Sequence, residues 1–88
     1  MATATKTHVL KTWPEPFAAM HRGAKTAEFR KNDRDFQIGD VLFLREWDPL
    51  KEEFTGQELY RFVTHVVRGP DFDIPEGYAV MSIRKGQL

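Results

Sequence analysis

Apolar and polar residues alternate through most of this 88-residue chain, as expected of strands that bury one face. The period lengthens once, in Pro14-Glu15-Pro16-Phe17-Ala18-Ala19-Met20. There Phe17 and Met20 share one side of a helix, with Ala18 beside them. Proline has a fixed φ and no backbone donor, so Pro14 to Pro16 can open a helix whose first donors are unpaired in any case. The spacing predicts an end near Arg22, with His21 and Arg22 in the last turn, where positive charge suits the helix dipole. Gly23 follows, and its missing Cβ lets it take the left-handed conformation that closes helices.

Strands are expected on both sides of this helix. Residues 7–11 form a short one, with Val9 on one face and His8 and Leu10 on the other. A second starts at Thr26. Ala27 and Phe29 are expected to pack inward, leaving Thr26, Glu28 and Arg30 on the opposite face. Asn32-Asp33 and Gly39-Asp40 are turn dipeptides, and Phe36 and Ile38 are expected to anchor the turn between them. Residues 41–47 are the clearest strand. Val41 to Leu44 are apolar on both faces, which fits a barrel interior on one side and the helix on the other.

Residues 48–56 read as a long hairpin connection with a solvated Lys51-Glu52-Glu53 tip. Residues 58–68 then form the longest strand, rich in β-branched and aromatic side chains. On it Tyr60, Phe62, Thr64 and Val66 oppose Leu59, Arg61, Val63, His65 and Val67. Gly69-Pro70 ends it, Phe72 and Ile74 are expected to tuck under the next connection, and residues 78–84 close the fold. Residues 1–6 and 85–88 read as loose ends. The sum is one domain, 1–88, of the α+β class and mainly β: a small barrel of about five strands with one helix beside it.

Composition narrows the chemistry. Lys and Arg total 13, as do Asp and Glu, so global charge does not mark a nucleic-acid binder. The cations do crowd the first part, at Lys6, Lys11, Arg22, Lys25, Arg30, Lys31 and Arg34, while Asp48, Glu52, Glu53, Asp71, Asp73 and Glu76 come later. Without cysteine there is no disulfide or thiolate site. His8, His21 and His65 have no metal-ligand spacing, and no glycine-rich phosphate loop is present, so no metal and no cofactor is expected. Ser82, the only serine, falls within a strand. No signal core or membrane-length apolar run occurs, and a cytoplasmic protein is expected.

The helix–strand junction has the most distinctive sequence. Gly23-x-Lys25-x-x-Glu28-x-Arg30 resembles the signature of ASCH domains, a branch of the PUA-like fold. His8-Val9-Leu10-Lys11, the Arg30-Lys31-Asn32-Asp33-Arg34 run, the segment from Ile38 to Glu46 and the segment from Gly77 to Ile83 are similar to an uncharacterised bacterial and phage family in that branch. The resemblance implies a PUA-like barrel with a cleft beside its first helix, and RNA or a nucleotide-like molecule as ligand.

On that reading Lys25 and Arg30 donate to an anion, the arginine through a planar fork. Lys31 and Arg34 extend the positive charge, and Arg45 is expected to face the same cleft. Glu28 either holds Arg30 or accepts from a base edge. Trp13 is either a cover for the core or a stacking platform, and Phe17 is a second stacking candidate. His8 is either a partly exposed side chain at a strand start or a ligand contact that changes charge near neutrality.

Two other functions stay open. Some hydrolases of this superfamily act on acylated nucleosides with a Lys, a Thr and a Glu, the threonine three positions after the lysine. Here Glu28 has that spacing from Lys25, and Thr26 adjoins the lysine. A protein-interaction or regulatory module is the third reading. In either case Glu28 and Arg30 can equally form an ordinary exposed pair.

Overall fold

The computed structural model describes residues 5–86. Its elements run β1 (Thr7–Thr12), α1 (Pro14–His21), β2 (Ala27–Lys31), β3 (Val41–Asp48), β4 (Glu53–Arg68) and β5 (Tyr78–Arg84). The strands form one sheet in the order β1-β3-β4-β5-β2. Only β1 and β3 run parallel, and the other neighbours are antiparallel. The sheet curls into a half-barrel that holds the helix. β1 and β2 are its two edges.

The core lies inside the curl. Leu10 from β1, Phe17 and Met20 from α1, Leu42 and Leu44 from β3, Leu59 and Val63 from β4, and Met81 and Ile83 from β5 are all buried together with Phe36. Each such side chain contributes about 1.5–3 kcal/mol by leaving water. α1 packs on β3 from inside the curl, on the face of Leu42 and Leu44 that also meets the rest of the core. The expected split, with the interior on one face of β3 and the helix on the other, does not form, and Phe43 on the outer face stacks on Tyr60 instead. The helix stops as its sequence dictates. Gly23 has φ +83°, its N–H donates to Met20 O at 3.0 Å, and the Ala24 N–H reaches back to Ala19 O at 2.9 Å. This pair of bonds is a Schellman closure, which satisfies carbonyls that the helix end would otherwise leave open.

Several local expectations are corrected. β4 starts at Glu53, not Glu58. A bulge between Arg45 and Trp47 lets the ladder continue through Trp47 opposite Phe54 and Asp48 opposite Glu53, so the expected long loop is a short turn. Asp48 Oδ1 fixes that turn by accepting from the Leu50 and Lys51 N–H groups. A second bulge, between Val63 and His65, inserts an extra residue and reverses the facing beyond it. Val66 therefore packs against the core, while His65 is exposed.

β2 also faces the other way from its expected orientation. Glu28 is buried and Phe29 is 53% exposed, because the carboxylate finds two cations inside the seam and the ring finds Tyr78 outside. Ile38 and Phe72 do not anchor anything. Ile38 rides on the tip of the turn that Gly39, at φ +95°, reverses. Phe72 sits at φ 53° in a short 3-10 turn, Asp71–Asp73, and is 89% exposed. Ile74 is half-buried.

At the N-terminal side, Lys6 is fastened rather than loose. Its carbonyl accepts from Val41 N–H at 2.8 Å, and its N–H donates to Asp40 Oδ1 at 3.3 Å. Of the other residues of the expected loose ends, 1–4 and 87–88 lie outside the described residues, while Thr5, Lys85 and Gly86 belong to no helix or strand and are exposed.

Candidate functional site

The Schellman closure turns the chain sharply and delivers Lys25 to the start of β2. Lys25 N–H still donates to Ala19 O at 3.0 Å, so this residue is anchored before the strand begins. Its Nζ lies 3.3 Å from Glu28 Oε1. The other carboxylate oxygen, Oε2, accepts from Arg30 Nε at 2.5 Å. Two positions apart on one strand, Glu28 and Arg30 share a face. Lys25 reaches that face from the loop. The carboxylate is nearly buried, with its side chain 6% exposed, and both cations remain partly open to solvent.

Arg30 also crosses to the opposite edge of the sheet. Its Nη2 donates to Lys11 O at 2.9 Å and lies 3.4 Å from Thr12 Oγ1. Arg34 does the same one step along, with Nη1 2.6 Å from Val9 O. No backbone ladder joins β1 to β2. Guanidinium groups bridge the gap, each satisfying a carbonyl on the free edge of β1.

The bridge leaves a hollow on each side of Arg30. The one beside α1 measures about 380 Å³, with Thr12, Trp13, Lys25, Glu28 and Arg30 among its walls. The other, about 260 Å³, is bordered by Phe29, Arg30, Lys31, Arg34 and Tyr78. Trp13, 59% exposed, does not cover the core. It stands at the rim of the first hollow with its ring available. Phe17 is buried in the core and presents no stacking face.

The other expected site residues are distributed as follows. Lys31 is exposed on β2 and borders the second hollow with Arg34. Arg45 does not share the cleft of Arg30. It lies on the outer sheet face, paired with Glu58 at 3.1 Å and stacked 4.0 Å over the Phe54 ring. Thr26 is exposed and is not among the residues lining either hollow.

His8 is not a partly exposed strand-start residue. It is 7% exposed, with Nε2 2.7 Å from Asp40 Oδ2 and its ring edge against Phe36. Burial raises the pKa of the Asp40 carboxyl. Hydrogen bonds from His8 and from the Gln37 and Lys6 N–H groups, with the nearby histidine charge, more than offset this and hold it below the usual carboxylate value.

Three participants were not singled out from the sequence. Thr12 continues the inward alternation of His8 and Leu10, and that period was the available signal. Tyr78 stacks on Phe29 at 5.3 Å, a diagonal pair across β2 and β5 visible only once the register is known. Arg61 is buried, donating to Met20 O and Tyr60 O, and burial lowers its pKa. It ties β4 to the end of α1. Among the described residues no group of three or more His, Asp or Glu is placed to hold a metal ion, and no helix is long and apolar enough to cross a membrane.

A family model described as a domain of unknown function, DUF3850, matches residues 7–83. That span holds every strand but the last residue of β5, together with the whole seam. The chain belongs to the DUF3850 family. It is also similar to an "Uncharacterized 12.9 kDa protein in GpA 3'region" of Escherichia phage P2, with 39% identity over 61 residues. The match takes in 69% of this chain and 54% of the phage protein, so the chain spans about half the length of that relative. The phage relative agrees with the resemblance to an uncharacterised bacterial and phage family.

Proposed function

We propose that this DUF3850 protein binds RNA or a nucleotide-like ligand in the cleft between α1 and the β1–β2 seam. The observation that carries the reading is the meeting of Lys25, Glu28 and Arg30 in one hollow, with the Trp13 ring open at its rim. Two cations around one carboxylate leave a net positive charge for an anion. The carboxylate keeps acceptor capacity for a base edge, and an exposed indole is a stacking surface for any base. The hollow falls within the size range of small-ligand sites. A curled barrel with its helix beside the motif supports the finer assignment to the ASCH branch of the PUA-like fold. A cytoplasmic setting goes with a ligand of this kind.

The test is titration of a short single-stranded RNA and of uridine 5′-monophosphate into the parent protein, Lys25→Ala and Trp13→Ala at several salt concentrations. Both side chains are at least partly exposed, so the variants should fold. Each phosphate contact contributes a slope of about −0.7 in log K against log salt, and two or three contacts give a shallow total near −2. Lys25→Ala should weaken binding and flatten that slope. Parent-like affinity and slope in Lys25→Ala would place the ligand elsewhere.

A further inference from the structure

The reversed facing of β2 exposes a ring that an inward-packed strand would have hidden. Phe29 lies parallel to Tyr78, with ring centroids 5.3 Å apart and planes 17° from coplanar, and Phe29 is more than half exposed. It borders both hollows, as does Arg30. The two hollows therefore adjoin along the seam, with Trp13 lining the first and Tyr78 the second. Along it lie Lys25, Arg30, Lys31 and Arg34 against two carboxylates, Glu28 and Asp33.

A second aromatic surface does not share this charge. On the outer face of β3 and β4, Trp47 meets Phe54 edge to face, with Lys11 and Arg45 over the two rings. Five carboxylates, Glu46, Asp48, Glu52, Glu53 and Glu58, belong to the same hairpin. A polyanion is disfavoured there and favoured along the seam.

We propose that the ligand is a single-stranded oligonucleotide lying along the seam, with one base at Trp13 and another on the Phe29–Tyr78 platform. This rests on the binding reading above and adds the polymer and the second base site to it. Stacking is tolerant of base identity because every base has a π face. The backbone between the two bases passes Arg30. Lys31 and Arg34 lie beside the second base, where a mononucleotide held at Trp13 would not reach them.

The experiment compares a labelled oligouridylate with uridine 5′-monophosphate, using the parent protein, Phe29→Leu, Phe29→Tyr and Lys25→Ala. Leucine keeps apolar bulk at an exposed position, and tyrosine keeps the ring. The expected result is that Phe29→Leu weakens the oligomer by roughly 5- to 150-fold, weakens the mononucleotide far less, and is rescued by Phe29→Tyr. Oligomer binding unchanged in Phe29→Leu but weakened in Lys25→Ala would overturn the second platform and leave the cleft reading standing. Equal loss for oligomer and mononucleotide in Phe29→Leu would put that ring in the single-nucleotide site and overturn the extended path. If the parent binds neither probe, both readings fail together.

Discussion

β1 has two unlike neighbours. On one side it shares six register pairs with β3, from Thr7 opposite Val41 to Thr12 opposite Glu46. On the other side it faces β2 with no ladder, across a gap that Arg30 and Arg34 span. A backbone ladder asks little of side-chain identity, because every residue except proline brings its own donor and acceptor. A side-chain bridge asks for particular residues, and it leaves space between the strands. The molecule is closed by repetition on one side and by two guanidinium groups on the other, and the space left by the second solution is the candidate site. Groups that hold the seam and groups that would hold a ligand are therefore partly the same. Arg30 serves Glu28 and Lys11 O before it serves any phosphate.

The comparison breaks most severely if the repetitive side is weak. Phe17 is buried where α1 meets the sheet, and Phe17→Ala should cost about 3–5 kcal/mol in urea denaturation. A loss below about 1 kcal/mol would mean that α1 is not docked on the ladder. Next comes the Asp40 knot at the foot of β1. Asp40→Ala leaves buried His8 and two backbone N–H groups without their acceptor and should cost about 2–3 kcal/mol near neutral pH. The Asp40 carboxyl has a depressed pKa in the folded protein. Its contribution is therefore full above the unfolded value of about 3.9 and disappears as pH falls through the lower folded value. Stability of parent and variant should converge on acidification across that window. A constant difference would show that the charge of Asp40 is not what stabilises the knot.

Legibility in the sequence follows the same division. The ladder side could be read, since apolar periodicity and the Gly23 stop are local signals. The helix, the apolar start of β3 and the whole of β5 stand where the pattern put them. Two bulges, at Arg45–Trp47 and Val63–His65, were hidden, because an inserted residue leaves no mark on composition and only the partner strand reveals it. The seam was half legible. The spacing of Lys25, Glu28 and Arg30 marked a shared cluster. Hydrophobicity then pointed Phe29 inward and Glu28 outward, and that was wrong. A buried carboxylate is costly alone but tolerable with charged donors on both oxygens, and those donors come from a loop and a strand face whose convergence is tertiary. His8 and Arg45 were misplaced for a related reason. Their partners, Asp40 and Glu58, lie far along the chain and satisfy them away from the cleft.

On the seam side the larger effect belongs to Arg30. Arg30→Ala strips a buried carboxylate of its nearest donor and frees the Lys11 carbonyl. A hydrogen bond to a charged group is worth about 1.5–3 kcal/mol, and partial exposure of the arginine places the expected loss near the lower end, at about 1.5–2 kcal/mol. Arg30→Lys should recover only part, because an ammonium cannot serve Glu28 and the opposite edge in one plane. Full recovery in thermal or urea melts would show that charge alone, and not the fork, holds the edges together.

Arg34 supplies the smallest and sharpest contrast. It reaches the same edge of β1 as Arg30 but makes its bond to a neutral carbonyl, and its own surroundings are exposed. A single exposed bond of this kind is worth about 0.5–1 kcal/mol, so Arg34→Ala should be a mild variant in global stability. Its effect should be local: amide hydrogen exchange in β1 near Val9 should accelerate, while exchange in β4 and β5 stays at the parent rate. The seam would then be graded, with Arg30 as its structural bolt and Arg34 as a cation that can be spared for a ligand. If Arg34→Ala instead costs as much as Arg30→Ala and loosens β1 throughout, the two bridges act as one unit. Arg34 could not then leave Val9 O to meet a phosphate without opening the barrel, and the seam would have to bind its ligand through Lys25 and Lys31.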